Sequence, residues 1–168
     1  MTLSMYQASV PVFVRALTNL KSILEKGAAH AHAKKVDESV LLGARLYPDM
    51  LPLSKQVQIA SDFARGTASR LGGAEPPAYE DNEKTFAELH ARIDRTLAFL
   101  ATQKASQIDG SESREIVRPV RGQPHKFTGT EYLLNYAMPN FYFHVTTAYD
   151  ILRQAGLEIG KQDFLGRS

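Results

Sequence analysis

The sequence predicts an all-α protein, a four-helix bundle with a short extra helix and a small β-hairpin or extended loop before the last long helix. Three observations lead there. Four long segments repeat apolar residues at intervals of three and four, the spacing that lines one face of a helix. Stretches rich in Gly, Pro and polar residues separate them, with no strand-like alternation outside one short region. The 168 residues are 43% hydrophobic and 23% charged, which suits one globular domain over 1–168 with a sizeable core. Four apolar stripes on one chain are buried most simply against one another.

The first stripe is Met5, Ser9, Val12, Phe13, Ala16, Leu20, Ile23, Leu24 and Gly27, with Pro11 bending or delaying the opening turns. "EKGAAHAHAKKVD" reads as a helix end or loop, after which Asp37 caps a short helix, "ESVLLGARLY", stopped by Pro48. Leu53, Val57, Ala60, Phe63, Ala64, Thr67 and Leu71 mark the second long helix, closed by Gly72 and Gly73. A loop, "AEPPAYEDN", leads to the third stripe, Phe86, Leu89, Ile93, Leu97 and Leu100. Thr85 and Glu88 have capping-box spacing there, and Asp81 or Asn82 offers an earlier start. "SREIVRPVRGQPHKFTG" breaks the helical period and reads as a hairpin or an extended loop. Thr128 or Thr130 caps the fourth long helix, which runs to about Gln154 with a kink at Pro139. Gly156 ends it, and the tail's Phe164 and Leu165 are expected to fold back onto the bundle.

Composition narrows the function. With no cysteine, disulfides, thiolate metal sites and a cysteine nucleophile are excluded, which suits a reducing cytosol. Twenty basic and 18 acidic residues give a net charge of +2, too balanced for a nucleic-acid footprint. The N-terminal segment has spaced apolar residues and no basic leader or small-residue cleavage site, and reads as a cytoplasmic start without a membrane span. No Gly-rich phosphate loop, GxSxG or HExxH motif occurs.

The fourth helix holds the residue that invites a function. In "MPNFYFHVTTAYDILR" the helical phase puts His144 on the inward side, with Asn140 one turn earlier on the same side. That is the spacing by which a helix offers two groups to one metal or one substrate. It is equally the place of a core histidine bonded to Asn140, Thr147 or another helix. His30 and His32 form an HxH beside two lysines, expected in solvent. His90 flanks the third stripe, from which it would reach the interior as a further ligand or face outward. His125 is expected exposed in the hairpin turn. Arg114, Arg118, Arg121 and Lys126 make the hairpin locally basic, a place for an anion or an acidic thiol cofactor, diluted by Glu112 and Glu115.

The runs "SMYQASVPVFVRALTNLKSIL", "QVQIASDFARGTASRLGG", "EDNEKTFAELHARIDRTLAFL" and "PNFYFHVTTAYDILRQAGLEIGKQDFLG" resemble a bacterial family of unassigned function in the DinB/YfiT-like superfamily of four-helix proteins. The resemblance covers essentially the whole chain. It implies an up-down bundle, commonly a homodimer, whose better-characterised relatives hold nickel or zinc with one histidine on the second helix and an HxxxH pair on the last. His144 corresponds to the second histidine of that pair, Asn140 stands where the first would be, and Gln56, or Gln58 in another register, stands at the second-helix position. Two amides in place of two imidazoles make a poor nickel or zinc site. The expectation is therefore a small-ligand-binding or regulatory module with a degenerate metal pocket formed by His144, Asn140 and Gln56. The alternative is a divalent-metal-dependent enzyme, of hydrolase or thiol-transferase type, using His144.

Overall fold

The computed structural model describes residues 3–120 and 122–166. Helix α1 spans Val10–Lys34, with Pro11 in its first turn, where a missing N–H costs no helical bond. Its buried face includes Val10, Phe13, Leu17, Leu20, Ile23 and Leu24, while Val12 and Ala16 are half-buried. The expected stripe is thus rotated by part of a turn. The helix also continues through His30 and His32 to a left-handed Lys35 at φ 55°, past the expected end. Gly27 does not break it: a Cβ there would lie 3.0 Å from the Phe86 ring, so this glycine sets a close helix approach.

Asp37 caps α2 (Glu38–Leu42) by accepting from the Ser39 N–H, and that helix stops at Gly43, ahead of Pro48. Helix α3 is Leu53–Leu71, followed by Gly72 and by Gly73 at φ 77°. Helix α4 is Phe86–Ala101 and starts from the Thr85–Glu88 capping box, not from Asp81 or Asn82. A short α5 (Ala105–Ile108), absent from the sequence reading, buries Ile108 and receives the chain start through Tyr6 N–H donating to Asp109 at 2.8 Å. Strands β1 (Ile116–Val120) and β2 (Gln123–Phe127) form an antiparallel hairpin pairing Ile116 with Phe127 and Val120 with Gln123. Of the four basic hairpin residues, Arg121 lies outside the described residues.

Thr128, not Thr130, caps α6 (Gly129–Glu131), with Glu131 returning the bond. The chain then widens into a π-helical turn, Tyr132–Ala137, before α7 (Met138–Gln154). This turn accompanies the proline where a kink was expected. Pro139 has no N–H to give and its ring crowds the carbonyl four residues back, and a wider turn just upstream relieves both. Gly156, at φ 92°, follows α7.

The four long helices are α1, α3, α4 and α7. Both α1 and α3 pack on α4 and on α7, while α1 and α3 face each other across the diagonal. One apolar cluster runs through the centre, including an edge-on Phe13–Phe141 pair at 4.8 Å. Among the described residues, no helix is long and apolar enough to cross a membrane.

A buried guanidinium fixes the loop between α3 and α4. The Arg92 side chain is fully buried, and its nitrogens reach Asp62 at 2.8 Å, Asp81 at 3.0 Å, Glu83 at 3.0 Å and the Glu80 carbonyl at 3.0 Å. Burial by itself weakens its hold on its proton, but the Glu83 hydrogen bond and the charges of Asp62, Glu83 and Asp81 outweigh that, so it stays charged. Tyr79, from the same loop, stacks between Arg65, 3.9 Å from its ring centre, and Arg95 at 3.6 Å.

The tail folds back in part as expected. Leu157 and Ile159 are buried, and α8 (Lys161–Leu165) lies on α1 through Lys26–Asp163 and through Asn19 donating to the Phe164 carbonyl. Phe164 meets Tyr149 edge-on at 5.8 Å, but Leu165 remains 43% exposed. An amphipathic single turn can turn only one of two adjacent side chains inward.

Truncation after Gly156 should lower the melting temperature, since Leu157 and Ile159 each contribute about 1.5 to 3 kcal/mol on burial; an unchanged melt would mean the tail adds nothing. Arg92→Met should cost about 3 to 5 kcal/mol in urea unfolding, since Asp62 and Asp81 still reach water but the buried Glu83 would keep only the Gln58 amide. A loss below about 1 kcal/mol would show that the loop holds by other contacts.

Candidate functional site

The extensive packing of α3 on α7 brings Gln56 and His144 together. Gln56 is 1% exposed and His144 half-buried, with His144 Nδ1 and Gln56 Oε1 2.7 Å apart. The amide orientation is set from the other side, where Gln56 Nε2 donates to the Leu51 carbonyl at 2.9 Å. The oxygen therefore faces the imidazole, and a neutral amide oxygen can only accept. His144 must carry its proton on Nδ1, which leaves the Nε2 lone pair as the free group of the ring.

The other residues expected here do not join that bond. Asn140 turns back along its own helix and donates to the Tyr136 carbonyl at 2.7 Å, so the pair "NFYFH" does not converge through its side chains. Gln58 points elsewhere, donating to Glu83 at 2.8 Å, which selects Gln56 as the residue opposite His144. Thr147 bonds the Phe143 carbonyl. Aromatic rings bound the imidazole: Phe63 lies nearly parallel at 6.1 Å and Phe143 edge-on at 5.3 Å. Phe143 is 55% exposed and Leu51 44%, so an apolar rim borders the polar pair.

This environment controls the charge. Burial pushes the His144 pKa down from 6.5 to about 4, and Gln56 offers no negative charge to oppose it. At neutral pH the ring is uncharged, a hydrogen-bond acceptor at Nε2.

A nickel or zinc site of the type the resemblance implies does not fit this donor set. Of the three positions, one amide is bonded on both ends, the other has its nitrogen tied to its own helix, and only one imidazole nitrogen and one neutral amide oxygen remain, too few and too weak for such a metal. Among the described residues no group of three His, Asp or Glu is placed to hold a metal ion. His90 does not supply the missing ligand: its charged neighbours are Lys21, Glu25, Asp94 and Glu38, and burial lowers its pKa. His32 is exposed, His30 is half-buried beside Lys26 and Lys34, and His125 is exposed against Phe127.

Sequence reasoning missed the buried arginines, Arg65 and Arg92. The signal was present for Arg92: it stands three residues after Leu89 and one before Ile93, on the inward stripe of α4.

Four long helices, a hairpin ahead of the last, and a polar pair where the second and fourth long helices meet define a DinB-like helical bundle. The crystal structure of a DinB family member protein from Shewanella denitrificans matches with a TM-score of 0.91 and 42% identity, over 97% of this chain and 92% of that one. Residues 5–165 match the family described as a domain of unknown function, DUF1993, and the chain belongs to that family. No curated protein matches it.

The shifted histidine makes stability depend on pH with a definite sign. Its folded-state pKa lies below the ordinary value, so between about pH 6.5 and 4 the unfolded chain binds more protons. Its contribution is full above pH 6.5 and lost as pH falls towards 4. His144→Gln, which can still donate to Gln56, should therefore narrow its stability gap to wild type over that window. The change expected is about 1 to 2 kcal/mol, discounted for partial solvent screening. Parallel pH profiles would show that the ring is not held neutral.

Proposed function

We propose that this protein is a small-ligand-binding or regulatory module whose pocket centres on His144 and Gln56. The observation that supports it is the Nδ1–Oε1 bond at 2.7 Å, backed by the Gln56–Leu51 bond. It fixes one unprotonated ring nitrogen beside an apolar rim, an arrangement that accepts one hydrogen bond from a neutral donor and gives contact area to an apolar body. Asn140, through its free carbonyl oxygen, is the third polar group on this side of α7. Exposed Leu134, Tyr142 and Phe143 on the last helix favour a homodimer, which would cover apolar surface that a monomer leaves in water.

A second reading, a divalent-metal-dependent enzyme using His144, is supported by the same bond. Metal-bound imidazoles are commonly held by giving their other N–H to a carbonyl oxygen. That reading needs ligands beyond the three residues considered.

Metal analysis after purification without a histidine tag separates the two. The expected result is sub-stoichiometric nickel and zinc, unchanged in His144→Ala, with native mass spectrometry detecting a small-molecule adduct that the variant loses. Stoichiometric metal that disappears in His144→Ala would overturn the first reading in favour of a live metal site. Light scattering at micromolar concentration should give twice the 18.6 kDa chain mass, and a monomer at every concentration would remove the dimer.

A further inference from the structure

A cavity of about 170 Å³ lies between α3, Pro76 of the following loop, Arg118 of β1 and Tyr132 of the π turn. Three arginines line it, Arg65, Arg70 and Arg118. Its one carboxylate, Asp62, is already engaged at 2.8 Å by both Arg65 and Arg92. Among the described residues, neither Arg70 nor Arg118 has an acidic partner within ion-pair distance. Arg65 is 6% exposed, yet its Nε and Nη1 have no hydrogen-bond partner, and Arg118 Nε is likewise buried and unpartnered. Buried donors of this kind normally find acceptors, so the cavity holds more positive charge and more donors than Asp62 and the Tyr132 hydroxyl balance. Burial also pushes the Arg65 pKa down, more than Asp62 restores it.

Helix α3 makes room for this arrangement. Gly66 sits inside the helix, where glycine is worth less than alanine. The three nearest atoms a Cβ there would meet all belong to Arg70, Nη1 foremost. The missing side chain lets the Arg70 guanidinium fold against the helix towards Tyr132, whose hydroxyl accepts from Nη1 at 3.4 Å and keeps its own proton to donate.

We propose that this cavity binds an oxyanion, the carboxylate or phosphate of a small molecule, held by Arg70, Arg118 and the Tyr132 hydroxyl against the fixed charge of Arg65. Phe63 forms part of the wall and also stacks on His144, but the site is separate from the His144–Gln56 pair and stands whether or not that pair takes a ligand.

Calorimetric titration of the full chain with inorganic phosphate and with benzoate, at constant ionic strength set by chloride, tests it. Saturable binding of at least one is expected, and which one binds assigns the source of the oxyanion. Arg118→Gln and Arg70→Gln should each weaken it about tenfold or more, the loss of a charge-assisted hydrogen bond, while Arg118→Lys loses less. Gly66→Ala keeps every charge and should leave the melting temperature equal or higher, yet weaken the anion by displacing Arg70. No saturable binding of either anion overturns the proposal. Wild-type affinity in Gly66→Ala or in either folded glutamine variant overturns it as well.

Discussion

The Arg92 guanidinium is the point on which much of the molecule depends. It reaches carboxylates from α3 and from the loop before α4, so one side chain joins the second and third long helices through the segment that connects them. That segment has no regular structure and little apolar surface of its own. With Arg92 in place, Tyr79 is brought over Arg65, and Asp62 is shared between two arginines. Charge in a bundle interior is costly unless it is paired, and here the pairing also positions the loop.

The same economy governs the two polar sites on α3. At one end Gln56 spends both ends of its amide, one on Leu51 and one on His144, which leaves the imidazole neutral and one nitrogen free. Further along, Arg65, Arg70 and Arg118 have more donors than the protein supplies acceptors. Hydrogen bonds satisfied internally make the first pair rigid. Those left unsatisfied give the arginine cavity its chemical character.

The helices were legible in the sequence because each buries a stripe, and stripes repeat with the helical period. The capping box at Thr85 follows from local spacing, whereas the sequence left Thr128 and Thr130 both open as the later cap and the structure selects Thr128. The end of α1 was not legible: alanines and histidines are tolerable in a helix, and only the left-handed Lys35 marks its stop. Helix α5 is too short for any period to show. That His144 points inward followed from helical phase, and that α3 places Gln56 opposite it followed from the family resemblance, whereas the direction of the Asn140 amide depended on a backbone carbonyl one turn away. The cavity between α3 and the hairpin was invisible for a different reason. Its arginines come from separate elements, and nothing in local sequence says that they meet.

The wide turn before Pro139 has a consequence for how the last helix is aimed. An α-helix advances about 100° per residue, so a straight rod locks the directions of all its side chains to one another. A π turn takes up one residue more than an α turn, and so resets the rotation between its two ends. Within it Tyr132 and Leu133 are buried while Leu134 is exposed, and beyond it Phe141 and Val145 return to the core. The last helix is thereby a rod with two independent settings. Its hairpin end can present Tyr132 to the arginines of α3 without turning His144 away from Gln56.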